Sequence, residues 1–476
     1  MMKTDLDEFL LRLGDAQLQL DAGFARLPAS PPPVLGEDAA AILGEAAARM
    51  HDNDPYAHPL YAGQMLKPPH PIARAAYALA MSVNPNNHAL DGGRASSAME
   101  LEAVAVLAGM FGYAGSPDRP GYLGHLTSSG TFANLEALWV AAQLNREQGR
   151  VRAVAASDQA HYTHTRISGV LGLRSVVIRS DSAGRMDLDA LEQALETQNV
   201  GTVVATLGTT AVGAVDPLDR ILELKKKYRF RVHVDAAYGG YFTLARNLEP
   251  AARAAYDAIP HADSLVVDPH KHGLQPYGCG CILFRDPAVG RFYKHDSPFT
   301  YFTSKELHLG QISLECSRAG ASAVALWATQ RLLPCQAGGE FARGLEAGRR
   351  AALELHRRLA ADARFVVPIA PPALDILFWA PRAKTLAESS ALAQAIFDEA
   401  RRGDLFLALA ILPARFFPAT AWTPAPASEP QPDQQVTCLR SVLMKPEHLA
   451  WMDEIWSRLD AATSAVLTVR SDVNAR

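Results

Sequence analysis

The 476-residue sequence predicts an α/β fold: a mainly parallel sheet covered by helices, followed by a smaller C-terminal α+β domain. Three observations carry this expectation. From about Ser96 to about Gly290, helical stretches alternate with short β-branched apolar runs. Those runs are apolar at successive positions, as strands covered on both faces must be. After a long helical stretch, Ser317 to Leu333, the sequence becomes Ala/Arg/Leu-rich and then mixed. The resulting division is an N-terminal helical arm over 1–95, a large α/β domain over 96–330 and a small α+β domain over 331–476.

In chain order, the first ninety-odd residues read as helices broken at Pro28-Ala29-Ser30-Pro31-Pro32-Pro33, then as an irregular stretch rich in Pro, His and Asn from Asp52 to Arg94. An arm of that composition usually wraps something. The predicted strands are Ala153-Val154-Ala155, Val176-Val177-Ile178, Val203-Val204-Ala205, Val232-His233-Val234, Leu265-Val266-Val267 and Ile282-Leu283-Phe284. Helices lie between them, for example the one marked by Leu188, Leu191 and Leu195, which breaks near Asn199-Val200-Gly201. A second Pro-rich segment, from Thr423-Pro424-Ala425-Pro426 to Pro432, marks an exposed loop of the last domain. Ligands of such sheets bind where the strands reach their carboxyl edge.

Lys+Arg 46 against Asp+Glu 50 gives a net charge of −4, which leaves no global field to attract nucleic acid or an anionic membrane. Five cysteines at this length suggest no disulfide scaffold, and a reducing cytoplasm is the expected compartment. The acidic start, Met1-Met2-Lys3-Thr4-Asp5-Leu6-Asp7-Glu8, lacks an apolar core, and the stretch from Ala98 to Gly115 is interrupted by Glu100 and Glu102. Neither a signal peptide nor a membrane span is expected.

Four segments carry candidate chemistry. Gly124-His125-Leu126-Thr127-Ser128-Ser129-Gly130-Thr131 opens a helix with hydroxyls and a glycine, which suits either a phosphate or an ordinary helix cap. In Val232-His233-Val234-Asp235-Ala236-Ala237 an acid ends an apolar strand, so it needs a cationic or donor partner. A protonated pyridine nitrogen fits, as does a helix cap or an arginine. Val267-Asp268-Pro269-His270-Lys271-His272 sets a lysine against apolar strands, where lost hydration favours its neutral, nucleophilic form, although most lysines are solvated. His270 and His272 with Cys279 and Cys281 nearby could suggest a metal, but no standard zinc spacing occurs and none is expected. In Ser157-Asp158-Gln159-Ala160-His161-Tyr162-Thr163-His164, His161 can stack on a planar ring or serve as a structural histidine, with His164 one helical turn away.

Together these segments resemble the group II pyridoxal-phosphate-dependent decarboxylases, a branch of the fold-type-I, aspartate-aminotransferase-like enzymes. The likeness runs from about His58 to Lys445 and includes Leu314-Glu315-Cys316-Ser317-Arg318 and Leu439-Arg440-Ser441-Val442-Leu443-Met444. It implies a seven-stranded, mainly parallel sheet. It also implies that Lys271 forms the imine with pyridoxal 5′-phosphate (PLP), with His270 before it. Asp235 binds the pyridine nitrogen, Ala237 packs under the ring and His161 stacks on the other face. The turn Ser128-Ser129-Gly130-Thr131 cups the phosphate, and Thr210 of Leu207-Gly208-Thr209-Thr210 lies near the ring oxygen or a carboxylate. The segment Tyr61-Ala62-Gly63-Gln64-Met65-Leu66-Lys67-Pro68-Pro69-His70 is similar to the substrate-facing arm of the shorter microbial tyrosine or aspartate decarboxylases.

Two departures stand out. Ser129 replaces the usual glycine of the phosphate turn, so that turn must accommodate a Cβ. Only a short stretch separates Tyr301-Phe302-Thr303 from Leu314-Glu315-Cys316, which leaves no place for the long-loop tyrosine of animal and plant aromatic decarboxylases. Protonation of the carbanion then falls to Tyr301, His308 or His161. The implied reaction converts an L-amino acid, with aromatic side chains favoured, to its amine and CO2. Its alternatives are decarboxylation coupled to oxidative deamination, carbon–carbon cleavage and transamination. Tyr61, Gln64, His88, Leu90, Tyr301 and Phe302 are the expected substrate contacts. The resemblance also implies a homodimer, with the partner's arm completing the site.

Overall fold

The computed structural model describes residues 3–28, 34–113, 121–149, 152–294, 308–422 and 434–474. The two Pro-rich breaks fall largely, and Tyr301 and Phe302 entirely, outside the described residues.

Seven strands form the main sheet: β1 (Leu123–Thr127), β2 (Ala153–Ser157), β3 (Ser175–Ile178), β4 (Val200–Thr206), β5 (Arg231–Asp235), β6 (Ser264–Val267) and β7 (Gly280–Phe284). Their order is β1-β7-β6-β5-β4-β2-β3, and β7 alone runs antiparallel to its neighbours. The six predicted runs became β2 to β7. Every residue of β2, β4 and β7 is buried, which is why these strands read as unbroken apolar runs.

The seventh strand, β1, presents no apolar run in the sequence because Gly124, His125 and Thr127 interrupt it. A Cβ on Gly124 would lie 2.9 Å from the Ile282 carbonyl oxygen of β7. His125 is buried with its Nε2 2.8 Å from Glu136 Oε2. Close strand approach and a buried polar pair therefore replace the apolar signal at this position.

The helices are α1 (Lys3–Ala22), α2 (Ala39–Met50), α3 (Pro71–Met81), α4 (Leu90–Met110), α5 (Gly130–Glu147), α6 (Thr163–Val170), α7 (Leu188–Thr197), α8 (Leu218–Tyr228) and α9 (Pro250–Asp257). The last four connect successive parallel strands from β2 to β6. Asn199 adopts a left-handed backbone at φ 48°, which ends α7 where the sequence predicted a break. The helix expected over 317–333 is α10 (Gly320–Leu332). It starts three residues late because Asn86 Oδ1 accepts the Arg318 N–H at 3.1 Å and holds the chain extended.

A second sheet contains β8 (Phe365–Val366), β9 (Ile376–Pro381), β10 (Ala408–Pro413) and β11 (Gln435–Val442), in the antiparallel order β10-β11-β9-β8. It packs against α11 (Glu340–Ala361), α12 (Leu386–Arg402) and α13 (Met452–Asn474) around Leu355, Trp379, Ile396, Leu439 and Ile455. Part of the irregular N-terminal stretch is anchored here: Ala62 N donates to Phe406 O at 2.9 Å, and Phe406 N donates to Leu60 O at 3.0 Å. By contrast α2 buries no residue at all.

Candidate active site

The parallel strands β4, β5 and β6 end at Thr206, Asp235 and Val267, and beyond those ends lies a cavity of about 190 Å³. Its walls include Ser129, Gly130, Thr131, His161, Thr210, Asp235, Ala237, His270 and Lys271. Nine of the sequence-predicted site residues thus meet around one hollow, although they come from five separate stretches of chain.

Asp235 is buried, and its Oδ2 lies 2.7 Å from His164 Nε2, while Oδ1 accepts the Ala237 N–H at 3.1 Å. Burial opposes its ionisation, but the hydrogen bond and charge of His164, together with the charge of Lys271, outweigh that and hold the carboxyl well below its ordinary value. An ionised Asp235 makes His164 Nε2 the donor, leaving its buried Nδ1 without a partner. The sequence showed His164 as a neighbour of His161. That it braces Asp235 emerges only once α6 packs against β5.

His233, between the two, is fixed from both sides: Nδ1 meets Ser264 Oγ at 2.9 Å and Nε2 meets Asn134 Oδ1 at 2.8 Å. Burial pushes its pKa down to about 3, so it is neutral and joins α5 to β5 and β6 without adding charge. His161 borders the cavity, with its Nδ1 accepting the Thr163 N–H at 3.3 Å. Burial also lowers its pKa, assisted by Lys271 and His164 and opposed by Asp235 and Asp268.

Lys271 Nζ lies 3.1 Å from Asp268 Oδ2. The segment is pinned on its other side by His270 Nδ1, which bonds Cys279 O at 2.7 Å. Asp268 was quoted in the sequence only as part of a motif. Its carboxylate sits against the start of α5, where a Cβ on Gly130 would lie 2.5 Å from Oδ2, and its Oδ1 is buried without a hydrogen-bond partner. A charged residue three positions before the lysine, at a strand end, was the available signal.

Ser129 caps α5: its Oγ accepts the Phe132 N–H at 3.2 Å. With φ at −167° its backbone is extended, so the Cβ that departs from the usual glycine causes no strain. The capping reading is realised, and the free N-terminal N–H groups and positive dipole end of α5 still face the cavity. Ser128 is exposed outside these walls, with its N–H donating to Glu315 Oε2 at 2.8 Å.

Four further candidates lie outside the cavity walls. Tyr61 is buried beside the second sheet, where its carbonyl accepts Lys445 Nζ at 2.6 Å, and burial pushes its phenol up to about 12. Gln64 reaches the cavity only indirectly: Arg440 donates to Gln64 Oε1 at 3.3 Å and to Thr210 O at 2.6 Å. Arg440, which the sequence offered only as part of a matching segment, therefore holds the loop that presents Thr210. His88 and Leu90 lie at the start of α4, and the Leu90 N–H donates to the buried His308 Nδ1 at 3.0 Å.

Comparison with known proteins shows the family and the fold. The pyridoxal-dependent decarboxylase conserved domain matches residues 37–381. The L-tyrosine decarboxylase of Enterococcus faecium is 27% identical, covering 81% of each chain. The L-2,4-diaminobutyrate decarboxylase of Rhizobium meliloti (strain 1021) is 32% identical over 52% of this chain and 48% of its own. A crystal structure of Oryza sativa TDC with PLP and tryptamine superposes with a TM-score of 0.77 at 18% identity, covering 98% of this chain and 99% of that one. The chain belongs to the pyridoxal-dependent decarboxylases, carboxy-lyases of fold type I whose cofactor is PLP.

The residues present fit that cofactor. One cavity offers an amine for an aldehyde, an ionised carboxylate for a ring nitrogen, and a helix N-terminus with hydroxyls for a phosphate. Gly208, on one wall of the cavity at φ +100°, lets the chain approach the Gly239 backbone closely, since a Cβ there would lie 2.9 Å from Gly239 N.

Proposed function

We propose that this chain decarboxylates an L-amino acid, with aromatic side chains favoured, to the corresponding amine and CO2, working in the cytoplasm as a homodimer. The observation that carries the reading is the single cavity holding Lys271, Asp235, His161 and the N-terminus of α5. When bound, PLP supplies a protonated ring that accepts the electron pair of the breaking Cα–carboxylate bond. Lys271 Nζ provides the amine that holds the cofactor aldehyde, and Asp268 fixes that side chain beforehand. Asp235, kept ionised by His164, holds a proton on the facing ring nitrogen. Ala237 and His161, both on the cavity wall, would hold the ring from opposite sides. Ser129, Gly130 and Thr131 would bind the phosphate, with Ser128 of the same turn lying just outside the walls, while His270 steadies the lysine segment and Thr210 would meet a ring oxygen or carboxylate. Among the described proton-donor candidates, His161 borders the cavity whereas His308 is fully buried outside its walls.

The aromatic preference is supported by the tyrosine decarboxylase relative, and the diaminobutyrate decarboxylase relative is the competing guide. Tyr61, Gln64, His88 and Leu90 would contact substrate from the partner's copy of the arm, with Tyr301 and Phe302 on the segment before residue 308. The dimer accounts for exposed Leu6, Leu10, Leu11 and Leu18 on α1 and for Ile42, Leu43 and Met50 on α2, apolar surface that a single chain leaves uncovered. Sedimentation showing a fully active monomer would overturn that assignment. No helix among the described residues is long and apolar enough to cross a membrane.

The test is an aerobic and anaerobic incubation of the holoenzyme with a panel of L-amino acids, reading CO2, amine, aldehyde and H2O2 together. Amine with CO2, independent of oxygen, is expected. Oxygen-dependent aldehyde with H2O2 would move the reading to oxidative deamination, and no CO2 from any amino acid would move it to cleavage or transamination.

A further inference from the structure

Lys271 borders the cofactor cavity, and the next residue, His272, borders a different one of about 560 Å³. This volume lies within the range of small-molecule sites. Much of its wall is apolar: Pro68, Pro71, Leu274, Leu333, Phe341 and Met444. Two lysines, Lys67 and Lys445, enter it from opposite stretches of chain. Two acids, Glu340 and Glu447, also line it, but both are exposed and belong to its rim.

The lysines are poorly compensated. Lys445 is only 4% exposed, and its Nζ donates to Tyr61 O at 2.6 Å, while Lys67 Nζ donates to Met444 O at 3.3 Å. Both hydrogen-bond partners are neutral carbonyls, and Lys445 Nζ also faces the neutral Tyr61 ring at 5.2 Å from its centroid. Among the described residues neither ammonium has a carboxylate within ion-pairing distance. Burial accordingly lowers the Lys445 pKa to about 7 and the Lys67 pKa to about 8. His272 is 1% exposed, and neither of its ring nitrogens makes a hydrogen bond; its Nε2 lies 3.3 Å from Asp375 Oδ2 but out of alignment. A buried Lys445 and a half-buried Lys67 beside an imidazole without a hydrogen bond, in a hollow of this size, leave positive charge that the longer-range attraction of Asp375 and Glu447 offsets only in part and that an incoming anion would offset further.

We propose that this cavity binds a small carboxylate with an apolar body, its carboxylate held by Lys445 and Lys67 and its body by the Pro68, Leu274 and Phe341 wall. The site is separate from the cofactor cavity but linked to it. Asp375, beside His272, accepts the Tyr238 hydroxyl at 2.6 Å, and Tyr238 is a wall of the cofactor cavity. Through Tyr238, and through the peptide bond between Lys271 and His272, occupancy would act on the catalytic side, making this an effector site. It does not depend on which amino acid is decarboxylated.

The experiment is calorimetric titration of the holoenzyme with phenylacetate, using 2-phenylethanol as the neutral counterpart of similar shape. Saturable binding of one phenylacetate per chain is expected, with no saturable binding of 2-phenylethanol. Lys445→Met and Lys67→Met should each weaken it about tenfold, the usual value of a charge-assisted hydrogen bond. Arg343→Glu, an exposed change at the cavity rim, should weaken it roughly threefold through charge alone and decides the matter if a lysine variant does not fold. Absence of phenylacetate binding to the unmodified holoenzyme would overturn the proposal. So would equal binding of the alcohol, or unchanged affinity in Arg343→Glu or in any folded lysine variant, since the ligand would then occupy another place.

Discussion

The two sides of the segment around Lys271 treat buried charge in opposite ways. On the cofactor side each ionised group has a partner from the chain: Asp235 has His164 at 2.7 Å and Lys271 has Asp268 at 3.1 Å. On the other side Lys67 has a main-chain carbonyl and Lys445 a main-chain carbonyl and the face of the Tyr61 ring at 5.2 Å, and neither has a carboxylate within ion-pairing distance among the described residues. The first arrangement keeps its groups oriented before any ligand arrives, which is what a site needs when it must stabilise charge as it develops. The second leaves a desolvation cost standing. On the proposed reading, the contrast separates residues placed for chemistry from residues that would take a counter-charge from a ligand.

The sharpest way to break the comparison is Lys271→Ala. It should reduce turnover below detection and remove the visible absorbance of the holoenzyme together, and wild-type turnover in that variant would refute the mechanism. Next in size is Asp235→Asn, which should lower kcat on the order of 10²–10³-fold, about 3–4 kcal/mol, because the facing ring nitrogen loses the carboxylate that keeps it protonated. A kcat unchanged within twofold would mean that Asp235 is only structural.

His164→Ala separates bracing from chemistry. It leaves a buried carboxylate with a single backbone donor and should cost about 3 kcal/mol of stability in a denaturant titration. Because Asp235 is held below its ordinary value near 3.8, its contribution is fully present above that pH and is lost only as the pH falls beneath it. Removing His164 raises the carboxyl, so the acid limb of the kcat profile should move to higher pH. An unmoved limb would assign that limb to another group.

The smallest effect lies on the other side and has the opposite sign. Lys445 titrates near 7 in the folded chain against 10.5 unfolded, so its penalty is complete below pH 7 and disappears as the pH rises to 10.5. Lys445→Met should therefore raise Tm at pH 6 by roughly 2–4 °C. The gain should shrink towards pH 10. Tyr61 O keeps a donor in the variant, His448 Nε2 at 3.3 Å, so no carbonyl is stranded. A lower Tm at pH 6 would show that the Lys445 contact to Tyr61 outweighs its desolvation.

Alone, the sequence determined whatever depends on local order. Six of the seven main strands were legible because strands covered on both faces need apolar residues throughout, and chemical residues stood at their carboxyl ends, where backbone pairing stops and side chains can converge. β1 was illegible because its conformation rests on Gly124 meeting β7 and on His125 meeting Glu136, contacts made only across the sheet. The same limit governs the site. Lys271, Asp235 and His161 announced themselves by position and type, whereas their supporting groups depend on distances between elements far apart in the chain. Only the packing of α6 on β5 gives His164 to Asp235, and only the docking of the N-terminal stretch against the second sheet brings Lys67 and Lys445 into one cavity. A lysine's letter carries no record of whether folding will supply it with a counter-charge, because burial and partnership are properties of the assembled chain.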